Sequence, residues 1–248
     1  GATVSGAAAT AAEIKTDTTA PVATSTADSG SAGDITITDK GEIDVSGTPN
    51  TDIVTVDTDN SVTVEGDLIA EDTDGVTGIH VTTGRAGTIL VDGSIQLTED
   101  YDREDLDGDD DDDGPLAVGA DRIGILVDDG SAFVGDILLG DSAEITVEGN
   151  NSAGIIVNPL LDGNLGGAGS ISVTGDDAVG VQSAEGVTGN VAVTGSVYAH
   201  GINAAGLDVD GDIGGAFSLD GSITSTGFTS VGQTNYIAPA NIDEDTDP

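Results

Sequence analysis

One short phrase recurs along the chain at Gly124-Ile125-Leu126-Val127, Gly154-Ile155-Ile156-Val157, Gly180-Val181-Gln182-Ser183 and Gly206-Leu207-Asp208-Val209. Its glycines are 30, 26 and 26 residues apart. A fixed period of that size is the mark of a solenoid, in which each repeat buries its apolar face only against its neighbours. The phrase also stands at Gly78-Ile79-His80-Val81, 46 residues before Gly124. An acidic segment of about 20 residues lies between these two copies, and removing it restores the 26-residue step.

Each period holds three short apolar runs, such as Ala178-Val179-Gly180-Val181, Val187 to Val193, and Gly195 to Ala199. Alternating Val, Ile and Thr between Gly, Asp and Asn have the period of two and the turn chemistry of short strands. Helical spacing is absent over any useful length. Three strands and three corners per period predict an all-β fold, a right-handed parallel β-helix (β-solenoid) with about 26 residues per coil and an acidic loop insertion. The hand follows from the preference of parallel crossovers. About seven coils at the interstrand spacing of ~4.8 Å would make a rod about 35 Å long. An antiparallel sandwich is the rival, but it would not require equivalent residues to recur in constant register.

Within this frame, residues 34–232 form the β-helix, with the acidic insertion at 99–118. Residues 1–33, rich in Ala, Thr, Ser and Gly, read as an extended or flexible leader, which strand addition to an open edge would order. Residues 233–248 read as an acidic C-terminal loop. A narrow aliphatic core suits a chain with 38 Gly, 3 Phe, 3 Tyr and no Trp. Glycine, aspartate and asparagine serve the corners.

Charge narrows the partners. With 46 acidic and 5 basic residues the formal charge is −41, which repels nucleic acid and anionic membrane surfaces and attracts cations. No apolar stretch approaches the roughly 20 residues of a membrane-spanning helix, so direct membrane insertion by this segment is not expected. Cysteine is absent, which excludes disulfides and thiolate metal sites.

The glycine phrase, the runs Gly93-Ser94-Ile95, Gly169-Ser170-Ile171 and Gly221-Ser222-Ile223, and the acidic loop together resemble the passenger domains of autotransporters, the type V secretion family. The resemblance covers roughly residues 34–232. It implies a β-helix exported through a C-terminal outer-membrane β-barrel and displayed outside the bacterial cell, anchored through a region beyond this chain. The ending Asn241-Ile242-Asp243-Glu244-Asp245-Thr246-Asp247-Pro248 reads as the start of another acidic loop, as a continuing sequence would have. Gly1-Ala2-Thr3-Val4 fits a mature terminus left by signal cleavage and equally a truncation boundary.

The densest chemistry lies in the insertion. Asp109-x-Asp111-x-Asp113-Gly114 has the opening spacing of a calcium loop, and Asp105 and Asp107 offer an overlapping set. Calcium held by Asp105, Asp107, Asp109, Asp111 and Asp113 stands beside a plain reading, a solvated acidic insertion. The bidentate acid due six residues after Gly114 is missing, because Ala120 stands there and Asp121 comes one residue late. The calcium-binding nonapeptide of β-rolls is absent, since Gly166-Gly167-Ala168-Gly169-Ser170-Ile171 puts isoleucine at the ligand position.

Catalytic and cofactor-binding residues are not expected. Carboxylate pairs such as Asp128-Asp129 and Asp176-Asp177 are too abundant to identify a hydrolase, and the basic residues are scattered. His80 and His200 sit at different repeat positions, which favours isolated surface residues over a zinc pair. A threonine ladder through Thr36 and Thr38 does not recur from coil to coil. The expectation is a non-catalytic structural or adhesive rod on a bacterial surface, self-associating or meeting an extracellular partner. The alternatives are a subunit of an extracellular filament or surface layer joined by strand edges and calcium, and a carbohydrate-active β-helix enzyme.

Overall fold

The computed structural model describes residues 12–101 and 115–227. Among them are 24 strands and one 3-10 turn, Thr24–Thr26, and no α-helix. All but two of the strands form three parallel sheets wound as a β-solenoid of about eight turns.

The first sheet runs through Ala12–Ile14, Ile35–Ile37, Val62–Val64, Ile89–Val91, Ile137–Leu139, Leu165–Gly167, Val191–Val193 and Phe217–Leu219. The second comprises Glu42–Asp44, Asp67–Glu71, Ser94–Thr98, Glu144–Glu148, Ser170–Thr174, Ser196–His200 and Ser222–Thr226. Val22–Ala23, Asp52–Val56, Thr77–Val81, Ile123–Val127, Ala153–Val157, Val179–Ser183 and Ala205–Val209 make the third. Seven interstrand spacings of ~4.8 Å give the eight-stranded sheet a length of about 34 Å.

Register follows the repeated phrase. Ile79 pairs with Ile125 across the 46-residue gap, then Ile125 with Ile155, Ile155 with Val181, and Val181 with Leu207. The acidic insertion therefore leaves the fourth coil between its second and third sheets without disturbing the ladder. A feature beyond the three expected strands is a short fourth ladder, Phe133–Val134 on Leu161–Asp162, continued by bridges from Leu161 to Val187 and Val187 to Ile213. Phe133 is fully buried there.

Inward positions carry aliphatic columns, for example Ile43, Leu68, Ile95, Ile145, Ile171 and Val197 in the second sheet. Each such side chain contributes roughly 1.5–3 kcal/mol by leaving water.

Two columns explain the phrase itself. Asn50, Gly75, Asp121, Asn151, Asp177 and Asn203 occupy one corner, all with φ between 51° and 69°. Asn, Asp and Gly tolerate this left-handed turn, and Asn151 and Asn203 each donate a side-chain N–H to the aspartate one coil above, Asp121 and Asp177. Three residues on come the phrase glycines. A Cβ on Gly154 would lie 2.4 Å from Ile171 Cγ2 and 2.6 Å from Gly180 O, with similar contacts at Gly78, Gly124 and Gly180. Only glycine lets the third sheet come this close to the isoleucines of the second.

Residues 12–33 are ordered by strand addition to the edge of the stack within the chain. Ala12–Ile14 pair with Ile35–Ile37, Thr18 bridges Ile43, and Val22–Ala23 pair with Val54 and Thr55, so this segment is the first coil. A polar knot fixes it. Buried Thr24 donates to Asp57 at 3.0 Å and accepts from the backbone N–H groups of Asp57 and Thr58, while Ser25 binds Asp57 through both its N–H and its hydroxyl. Burial pushes the Asp57 carboxyl up, but the bonds from Ser25 and Thr24 outweigh it and hold the group below its usual range.

Candidate functional site

Asp105, Asp107, Asp109, Asp111 and Asp113 lie outside the described residues. What the structure does show is how their insertion is rooted. Glu99 leads into it and Val118-Gly119 lead out, and the Glu99 carboxylate accepts from the N–H groups of Val118 at 2.8 Å and Gly119 at 2.7 Å. The N–H of Glu99 in turn donates to Glu148 Oε2. One carboxylate thereby closes the neck.

Arg122 locks this neck from inside. Its side chain is 2% exposed. Nε donates to Thr73 O at 2.9 Å, Nη1 to Glu99 Oε2 at 3.3 Å and to Glu148 O, and Nη2 to Asp74 Oδ1 at 3.2 Å. Its backbone N–H binds Ser152 Oγ. The guanidinium fork thus ties the third, fourth and fifth coils together. Its partner Glu99 is 5% exposed whereas Asp74 is 62% exposed, so the pair with Glu99 carries most of the electrostatic weight.

A second cation does the same work on the third sheet. His80 Nδ1 lies 2.6 Å from Asp52 Oδ2, and Nε2 lies 3.0 Å from Asp128 Oδ1. Two carboxylate acceptors call for a donor at both ring nitrogens, hence an imidazolium. The bond to Asp52 pushes the His80 pKa up to about 9, against the opposing effect of burial and with further help from Asp128. Asp52, His80 and Asp128 belong to three successive coils, so this contact is also a staple.

The two histidines are not brought together. His80 is in the third coil on the third sheet, and His200 is in the seventh coil on the second sheet, with its ring centroid 5.8 Å from that of Tyr198. Among the described residues no three His, Cys, Asp or Glu side chains are grouped to hold a metal ion.

The carboxylate pairs are occupied by the fold. Asp128 binds His80 and Asp129 accepts from the N–H of Gly130, while Asp176 and Asp177 accept from Ile202 and Asn203 of the next coil. Crowding acts on one carboxyl: desolvation and then Asp17, Asp44 and Asp67 raise Glu42 above its usual range.

Composition alone leaves Arg122 among scattered basic residues. Aligning the repeats on the corner column would have found it, since Val76, Arg122, Ser152, Ala178 and Ala204 share one position and a lone charge interrupts it. Comparison with protein-family models, curated proteins and solved structures gave no match.

Proposed function

We propose that the chain is a non-catalytic rod, displayed outside a bacterial cell and serving a structural or adhesive role. The observation that supports this reading is the use made of its few cations. In a chain of charge −41, His80 and buried Arg122 each staple three coils. Chemistry invested in coil-to-coil cohesion suits a spacer that must hold its shape. The resemblance to autotransporter passengers carries the location, a cell surface reached through an anchoring region beyond this chain, and calcium in the acidic insertion belongs to the same proposal.

Two measurements test it. Small-angle scattering of the purified chain should give a rod cross-section, and protease added to intact producing cells should digest the chain. Protection until lysis would overturn the displayed location.

A second reading, a filament subunit, draws support from the last coil, where Phe217 and Leu219 are 49% and 51% exposed on a strand with no described neighbour below. Concentration-dependent growth of the scattering mass, with and without calcium, separates the two readings.

A further inference from the structure

The eighth coil is incomplete among the described residues. It has a first-sheet strand, Phe217–Leu219, and a second-sheet strand, Ser222–Thr226, while the third sheet ends one coil earlier, at Ala205–Val209. In the sixth coil the inward places of that sheet, Val181 and Ser183, are buried. Leu207 and Val209 follow in the same lanes and are half-buried, because no described strand lies below them. The floor there is apolar and its backbone edge is open.

Two columns of carbonyls mark where the next strand belongs. Ser152 O accepts the N–H of Val179 and Ala178 O that of Ala205, each donor being the first third-sheet residue one coil below. At the other end of the strand, Val157 O accepts from Ala184 and Ser183 O from Asp210. Ala204 O and Val209 O come next in these columns. Among the described residues Ala204 O takes the Ser225 hydroxyl where its predecessors take an N–H.

The sequence keeps this register past the described residues. Gly227 stands 26 residues after Gly201, as Gly201 does after Gly175, and Gly232 stands 26 after the phrase glycine Gly206. Four residues join His200 to Ala205, and four join Thr226 to Val231. The step of 26 therefore matches the N–H of Val231 to Ala204 O and that of Tyr236 to Val209 O. It also assigns Gln233 and Asn235 to the lanes of Leu207 and Val209.

We infer that the lower edge of Ala205–Val209 is a docking surface for residues 231–235 of the same chain, which add the missing third-sheet strand of the eighth coil. Strand addition supplies backbone hydrogen bonds, and Gly232 permits the close approach that the phrase glycines make elsewhere. A second copy competes poorly for this edge, since a four-residue tether presents the chain's own segment at an effective concentration on the order of millimolar. The docked strand is also a stop. Gln233 and Asn235 bring amides into lanes that are aliphatic except at Ser183, as the polar terminal repeats of solenoids do. Stacking another coil on them would bury amides without partners, at about 1–3 kcal/mol each. End-on association is thereby left to the first-sheet edge at Phe217 and Leu219. The inference rests on neither reading above, because the contact lies within one chain.

Hydrogen–deuterium exchange of the full chain, read by mass spectrometry on the peptide holding Ala205–Val209, tests the docking. Val231→Pro combined with Tyr236→Pro removes both donors and should speed exchange in that peptide about tenfold. Gln233→Pro alone, in the middle of the segment, should act in the same direction. Val231→Thr combined with Tyr236→Phe keeps both N–H groups and should match the parent, as should Asp245→Pro farther along the chain. Ala153–Val157 should exchange as in the parent throughout, which separates an opened edge from lost folding. Exchange at 205–209 that the proline variants leave unchanged overturns the inference. Protection that grows with protein concentration and survives the prolines also overturns it, and assigns the edge to a second copy.

Discussion

Ser183 offers the most direct test of the stacking argument. It occupies the inward column of the third sheet, where its counterparts are Val56, Val81, Val127, Val157 and Val209. It is fully buried, and its Oγ has no hydrogen-bond partner among the described residues. An unpaired buried hydroxyl costs about 1–3 kcal/mol. Ser183→Val removes that cost and buries two methyl groups, worth about 1.5 kcal/mol. Overpacking would take back part of this, but Val157 and Val209, one coil above and below, show that the lane is wide enough for valine. A net gain of about 2–3 kcal/mol is expected. For a chain of this size that raises the melting midpoint by roughly 4–12 °C, read by far-ultraviolet circular dichroism at fixed protein concentration. Ser183→Ala, which deletes the hydroxyl and adds no second methyl, should fall between the parent and the valine variant. A valine variant that melts below the parent, or two variants that both melt with it, would refute the unpaired hydroxyl and the column that surrounds it.

Gly154→Ala should destabilise by about 2–4 kcal/mol, because the new methyl meets Ile171 and the Gly180 carbonyl at 2.4 and 2.6 Å; an unchanged denaturation midpoint would contradict the close sheet contact. Arg122→Met removes the partner of buried Glu99 and should cost about 3–5 kcal/mol in urea unfolding, with Arg122→Lys failing to restore it because the two-sided fork is lost. His80 has a folded pKa raised to about 9 over an ordinary 6.5, so its contribution is fully present below pH 6.5 and disappears as pH rises through 9. Unfolding midpoints measured from pH 6 to 10 should therefore fall in the parent and stay flatter in His80→Gln.

Much of the fold was legible because a solenoid writes its register into its period. The pairing of Ile79 with Ile125 follows from deleting the insertion, and the corner column explains why Asn or Asp stands three residues before so many phrase glycines. The first coil was less legible. It lacks the phrase, its third-sheet strand is the two residues Val22–Ala23, and its Thr and Ser content reads as flexible until Asp57 is seen to gather Thr24 and Ser25. Arg122 is hidden in the overall charge and stands out only by its repeat position, one residue after the corner column. The proposed calcium ligands fall outside the described residues, so the geometry adds to that reading only the neck that holds them.

Among the described residues the two ends of the stack are unequal, which predicts a polarity of melting for these coils. At the upper end Thr24 is wholly buried and the Asp57 knot must break before the first coil can lift away. At the lower end Phe217 and Leu219 are already half in water, and no described strand lies beneath Ala205–Val209. In a stack where every coil leans only on its neighbours, opening spreads from the described coil that has least to lose. The ladder behaves as a zipper with a fastened head and a loose tail, and amide exchange should run fastest at the tail and slow progressively toward the middle coils.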